Sequence, residues 1–245
     1  MGAIQLLPIE GIGEIKAGDD LASLCVQAFS DFCDGDILVV SSKAVSKAEG
    51  NVVRESSLSP SPFAHQLAKL TGSSPQYCEL VLRESAGILR MAKGVVICRT
   101  HHGFVMANAG VDASNTGGEG LLIPLPKDPD ESARKIGERI FALTGKQVGI
   151  IISDTFGRAW RLGQMNLAIG VWGMSPFRDY RGRPDDNGRV MHKTCIAVAD
   201  ELAAAAELAS GKTDRVPAVI VRGYPSGGSG SAKELLMNPA MDLFP

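Results

Sequence analysis

Short apolar runs and helical apolar stripes alternate along this chain. Residues 3–8, AIQLLP, read as a short strand entering a glycine turn, EGIGE. Asp19 or Asp20 is placed to cap a helix whose apolar stripe is Leu21, Leu24, Cys25, Ala28, Phe29 and Phe32. A DGD turn at 34–36 releases ILVV (37–40), a run suited to a strand buried on both faces. Ser61-Pro62 and Ser74-Pro75 put proline at the first helical position, which predicts helices near 62–71 and 76–85, the first stopped by Gly72. The middle is β-rich: VVICRT (95–100), GFVMAN (103–108) and LLIPLP (121–126). Asp130 is the expected cap of a helix running to about Thr144, with Gly145 at its end. VGIIIS (148–153) and VPAVIVRG (216–223) predict two more buried strands, and an alanine-rich helix covers about 199–210. Residues 178–189 are polar and turn-rich, and a short helix is expected at 231–237 after a glycine loop. With no repeat, no low-complexity linker and no strong boundary, residues 1–245 read as one α+β (mixed α/β) domain; two lobes are compatible with the pattern, without a position for the seam.

Composition narrows the function classes. With 44% hydrophobic and 21% charged residues, the 245-residue chain is ordinary globular material with ample core. A net charge of −2 gives no basic field for nucleic acid or an anionic membrane, so an anionic substrate must be met by local cations. Cys25, Cys33, Cys78, Cys98 and Cys195 form no C-x-x-C pair, which speaks against zinc and disulfides and for a reducing compartment. The opening MGAIQLLPIEG has no basic start and no sustained apolar run, so a cytoplasmic location is expected. The 28 glycines imply many turns and close backbone approaches.

Several familiar motifs fail on inspection. ASGKT (209–213) resembles the end of a phosphate-binding loop, but Ala206 stands where the first glycine belongs. It also follows a helix and precedes a strand, the reverse of the required order, so Gly211 reads as a helix stop and Lys212 as a charge facing the helix dipole. DTFG (154–157) has no base-reading partner, the four histidines lack metal-ligand spacing, and no nucleophile elbow is present.

A different constellation survives. Asp154 ends the VGIIIS run, where a sheet would fix a carboxylate while the following loop opens to ligand, a setting suited to Mg²⁺ or Mn²⁺; a turn or cap aspartate is the plainer alternative. Asp112 lies in ANAGVDASN (107–115), whose small residues let backbone amides approach phosphates, with an Asx turn as the alternative. Arg158 and Arg161, with Arg178, Arg181, Arg183 and Arg189, supply guanidinium groups for phosphate or carboxylate, although pairing with Asp179, Asp185 and Asp186 is expected for at least half of them. Lys43 and Lys47 follow a buried strand and either reach a nucleotide or stay solvated. The glycine run 223–230 before the last helix suits an anion or a plain linker. Together these parts suit phosphoryl transfer, which asks for positioning, metal ions and cationic clamps.

SSKAVSKAEG, THHGFVMANAGVDASN, SDTFGRAWRLGQMNLAIG, DYRGRPDDNGR, VADELAAAAEL and VIVRG occur in the order and spacing of the coenzyme F-420-0:L-glutamate ligases, and the chain resembles that family from about residue 4 to its end. The resemblance implies an intertwined homodimer of unusual α+β fold. It implies a GTP-dependent, amide-forming ligase that joins L-glutamate to a deazaflavin precursor, using Mg²⁺ or Mn²⁺, with K⁺ as a candidate companion ion. It also implies that Asp112 and Asp154 bind one metal, with Thr155 near a second. Gly11, Ile12, Gly13, Glu14, Ser42, Lys47 and Asn115 are implied GTP contacts, as are Gly223, Tyr224, Ser226, Gly227, Gly228, Ser229 and Gly230. Arg158 and Arg161 would hold the acceptor's phosphodiester or the glutamate carboxylates. The chain departs from the pattern at Ser229, where relatives carry an acid, and at Pro225 and Asn187, which bear on the second metal and on acceptor packing. Two alternatives stand beside this reading: a ligase of the same fold acting on another carboxylate, and a nucleotide-binding module without turnover.

Overall fold

A computed structural model describes residues 2–114 and 116–242. In chain order the strands and helices are β1 (Gln5–Pro8), α1 (Leu21–Ala28), β2 (Ile37–Ser41), α2 (Ser42–Ala48), β3 (Val53–Arg54), α3 (Pro62–Thr71), α4 (Pro75–Arg83), β4 (Ser85–Ala92), β5 (Val95–Thr100), β6 (Val105–Ala107), β7 (Leu121–Leu122), α5 (Pro129–Thr144), β8 (Gly149–Arg158), β9 (Arg161–Trp172), β10 (Arg178–Asp179), β11 (Cys195–Ile196), α6 (Val198–Ser210) and β12 (Ala218–Arg222). This is the mixed α+β fold expected from the sequence.

A five-stranded sheet, in the order β1-β12-β2-β8-β9, forms the centre. Only β2 and β8 are parallel; the other neighbours run antiparallel. The apolar runs foreseen at 37–40 and 148–153 are continuous because both sheet faces are covered. Leu38, Val40, Ile150, Ile152 and Ile220 point into a core shared with α1 and α5. Ile37, Val39, Ile151, Val219 and Val221 point the other way, onto α6. A second unit packs α3 and α4 on the β4-β5-β6 sheet around its own core, which includes Leu67, Cys78, Val81, Val96 and Cys98.

Close approach of α5 to β9 needs two residues without side chains. A Cβ on Gly170 would fall 2.4 Å from the Pro129 carbonyl oxygen, and one on Gly137 would fall 2.1 Å from the Trp172 ring. Both distances lie well inside van der Waals contact, so the packing requires glycine at these positions.

Several boundaries differ from expectation for identifiable reasons. Asp128 caps α5, accepting from the Glu131 N–H at 3.1 Å, because Pro129 already occupies the first helical position. Asp130 instead accepts the backbone N–H groups of Val171 and Ala232, both at 2.8 Å, and ties α5 to β9. In LLIPLP only Leu121–Leu122 pair as a strand, since Pro124 and Pro126 have no N–H for a ladder. The segment expected to be a helix at 231–237 is a single 3-10 turn, Ala232–Leu235, with a Ser231–Glu234 capping box. SSKAVSKA, to which no element was assigned from the sequence, contains α2. Most consequentially, β8 does not end before Asp154: it continues to Arg158 and folds back as β9, which was not foreseen. All five cysteines are free thiols, and burial pushes that of Cys25 up to about 12, leaving it inert. No helix among the described residues is long and apolar enough to cross a membrane.

Candidate active site

The parallel pair β2–β8 places two chain segments at one end of the sheet, where the parallel register finishes. Ser41 lies opposite Ser153, so Ser42 and Asp154 emerge side by side. The β8–β9 ladder slips between Ile152 and Ser153, an irregularity of the kind that re-aims the next side chains. Asp154, half-buried, then accepts a 2.5 Å hydrogen bond from the Ser42 hydroxyl. Asp112 arrives from elsewhere. A tight turn at Asn108–Gly110, with Asn108 at φ 51° and Ala109 at φ 52°, leads into a bridge between Asp112 and Ile123. The Asp112 carboxylate accepts from the Ser114 N–H (2.6 Å) and hydroxyl (2.7 Å), the Asx turn foreseen as its plainer role. It also pairs with the Lys43 ammonium at 2.6 Å, and Lys43 donates in addition to the Ser114 carbonyl at 2.8 Å. Thus α2 carries both organisers: Ser42 holds one carboxylate and Lys43 the other.

The two acids feel each other. Desolvation chiefly, with the Asp112 charge adding to it, pushes the Asp154 carboxyl up to about 6, against the Ser42 hydrogen bond and the charges of Lys212 and Lys43. Desolvation also acts on Asp112, but hydrogen bonds from Lys43 and Ser114 and the Lys43 charge outweigh it and hold that carboxyl below the usual range. Two hard oxygen donors in mutual repulsion fit a divalent cation. No group of three or more His, Cys, Asp or Glu gathers anywhere among the described residues, so a cation at this position would complete its shell with oxygens of water or a bound ligand. That is how Mg²⁺ binds when phosphates share the site.

Four further contacts complete this end of the sheet. Lys47, with its side chain 11% exposed, pairs with Glu14 at 2.6 Å, which excludes the solvated role and joins the EGIGE turn to α2. Ile12 of that turn is buried in the core. Thr155 donates its hydroxyl to the Asn166 side-chain carbonyl across the hairpin at 2.9 Å. Lys212 then donates to both, at 2.8 Å to Thr155 Oγ1 and 3.2 Å to Asn166 Oδ1. Lys212 lies 3.6 Å from Glu207, so its helix-end setting was foreseen, but its place at the site was missed. Asn166 was missed too. The only sequence signal was GKT itself, set aside because its context is wrong for a phosphate loop.

Other candidates lie apart. Arg158 and Arg161 are register partners at the far end of the hairpin, where Arg158 donates to the Leu162 carbonyl. Four residues of strand separate Arg158 from Asp154, about 13 Å. The 223–230 loop leaves β12 beside Ile37, at the end of the sheet opposite Asp154. There Ser226 donates to the Gly35 carbonyl at 2.8 Å and the Gly227 carbonyl accepts from Ser175 N–H at 2.9 Å. Gly223, Tyr224, Gly228, Ser229 and Gly230 belong to that same loop, so within one chain these predicted GTP contacts do not converge with Gly11, Gly13, Glu14, Ser42 and Lys47. Asn115 lies outside the described residues. Of the remaining arginines, Arg181 pairs with Asp179 at 2.6 Å, while Arg178 and Arg183 lie over the Tyr180 ring.

A model of the F420-0:Gamma-glutamyl ligase family matches residues 11–223. A relative from Methanothermobacter thermautotrophicus, named Coenzyme F420:L-glutamate ligase, is 46% identical over 249 positions covering 98% of both chains. Proteins of the same name from Archaeoglobus fulgidus and Methanopyrus kandleri are 42% and 40% identical, the former over 98% of this chain and 96% of its own, the latter over the whole of both. The chain therefore belongs to the F420-0:gamma-glutamyl ligase family.

Proposed function

We propose that this protein joins L-glutamate, through an amide bond, to the terminal carboxylate of a deazaflavin precursor of coenzyme F420, with GTP as the energy source. Family membership over nearly the whole chain supports the ligation and its substrates. What supports the chemistry is that consecutive residues of α2 hold the two acids, Ser42 on Asp154 and Lys43 on Asp112. In this reading catalysis comes from positioning and charge, with Ser42 and Lys43 holding the two carboxylates.

In this reading an acceptor carboxylate oxygen attacks the γ-phosphorus and GDP departs, leaving an acyl phosphate. The glutamate amine then attacks the acyl carbon, phosphate leaves with the acyl oxygen, and the amine gives up one proton. Asp112 and Asp154 would hold Mg²⁺ or Mn²⁺, which would neutralise charge on the triphosphate; K⁺ is a candidate companion ion. Ser42 and Lys43 keep the two carboxylates oriented, and Lys47, fixed by Glu14, is positioned near the same end of the sheet for the nucleotide. Arg158 and Arg161, out on the hairpin, suit the outlying anionic groups of the acceptor or of glutamate better than the reacting atoms. A homodimer in the cytoplasm is part of the same proposal. The exposed hairpin tip, with Trp160 78% and Leu162 97% exposed, supports an association surface.

The test is a reaction containing protein, GTP, Mn²⁺, glutamate and the deazaflavin acceptor, followed by acceptor mass and GDP release. One glutamyl unit gained per GDP is the expected result. GDP release that requires a different acid, or GTP binding without turnover, overturns it in favour of another acceptor or a silent binding module.

A further inference from the structure

The connection between α6 and β12 carries a cation that the reaction scheme above does not use. Gly211 ends α6 at φ 60°, and a Cβ there would fall 2.1 Å from Asp214 Oδ2. Arg215 also has positive φ, at 58°. The Pro217 carbonyl then accepts the Ser41 N–H at 2.9 Å, which anchors the connection over the carboxyl end of β2. This tight path brings the Lys212 ammonium onto two oxygens that face each other across the β8–β9 ladder, Thr155 Oγ1 at 2.8 Å and Asn166 Oδ1 at 3.2 Å. Asn166 is buried, and Thr155 immediately follows Asp154. A hydroxyl and an amide carbonyl next to a carboxylate are hard donors of the kind a second divalent ion would use.

We propose that the Lys212 ammonium is the fixed second cation of this site: it occupies the oxygen pair at Thr155 and Asn166, so the site takes one divalent ion, at Asp112 and Asp154, and none at Thr155. The proposal rests on the metal-dependent reading above. A lysine ammonium is a compact point charge with three donors. Two of its donors serve Thr155 and Asn166, and Glu207, 3.6 Å away, is the remaining anionic neighbour. A divalent ion at the same oxygens would have to displace the ammonium and stand against its charge at a few ångströms. The single positive charge is thus built into the chain rather than recruited from solution.

The experiment counts Mn²⁺ by electron paramagnetic resonance on the full-length protein, with Mn²⁺ and a non-hydrolysable GTP analogue as the probes. The parent protein is expected to bind one Mn²⁺ per chain with the hyperfine pattern of an isolated ion. Lys212→Gln, which keeps hydrogen-bonding capacity but removes the charge, is expected to bind two, with the spectral broadening of neighbouring ions. Lys212→Arg, which keeps the charge, is expected to remain at one. Circular dichroism and thermal unfolding of each variant confirm that it is folded. Two ions in the parent protein, or one in a folded Lys212→Gln variant, overturns the role given to Lys212. No bound Mn²⁺ in any of the three overturns the metal reading itself, a failure with a different signature.

Discussion

In the proposed reaction most of the chemistry turns on Asp154, and the ionisation of this residue gives it a measurable signature. Its folded-state pKa of about 6 lies above the ordinary 3.8, so the folded protein holds this proton more tightly than the unfolded chain. Stability therefore falls as pH rises from near 4 to near 6, and the full cost persists above that. Asp154→Asn removes the cost: at pH 7 the metal-free variant should be more stable in urea titration by on the order of 2 kcal/mol, with the difference shrinking as pH falls from about 6 to about 4 and gone below that. The same variant should lose Mn²⁺ binding. In the parent protein, Mn²⁺ affinity should climb through about pH 6 and then level off, because the ion competes with the proton. A flat profile between pH 5 and 8 would contradict the assignment. Asp112 and Asp154 were singled out in the sequence because each follows an apolar run. Their partners were not legible: Ser42 and Asp154 are 112 residues apart, and Lys212 and Thr155 are 57 apart, so only the folded sheet could pair them.

At the scale of elements, what could be read ahead was whatever two-sided burial or capping chemistry dictates. The runs that became β2, β8 and β12 are apolar on both faces, and Ser61 and Ser74 cap α3 and α4 in front of prolines as foreseen. The β8–β9 hairpin escaped because its turn carries none of the usual residues; Trp160 itself takes a left-handed φ of 57°. Its outer half is also exposed and mixes apolar with polar residues without alternation, so apolar patterning gave no strand signal there. The α5–β9 contact offers an independent test of the packing that supports β9. Gly170→Ala must force the Pro129 carbonyl away, and a loss of about 2 kcal/mol or more in urea unfolding is expected. Unchanged stability would mean that α5 does not lie against β9 as described.

For the whole molecule, one end of the sheet gathers contributions from the EGIGE turn, α2, the 111–114 segment, β8 and the α6–β12 connection, while the 223–230 loop and the arginine-bearing hairpin tip lie elsewhere. A homodimer would reconcile this separation if the loop or hairpin of one copy reaches the site of another. Light scattering should then report twice the chain mass, and Leu162→Ser together with Trp160→Ser should shift it toward the monomer. A monomeric parent protein would remove that explanation. The most direct measurement is anomalous diffraction from crystals grown with Mn²⁺ and a non-hydrolysable GTP analogue. The account predicts an anomalous peak within about 2–2.5 Å of carboxylate oxygens from both Asp112 and Asp154, in contact with the analogue's phosphates. A peak that touches only one of these residues, or none near them while the nucleotide is bound, would contradict it.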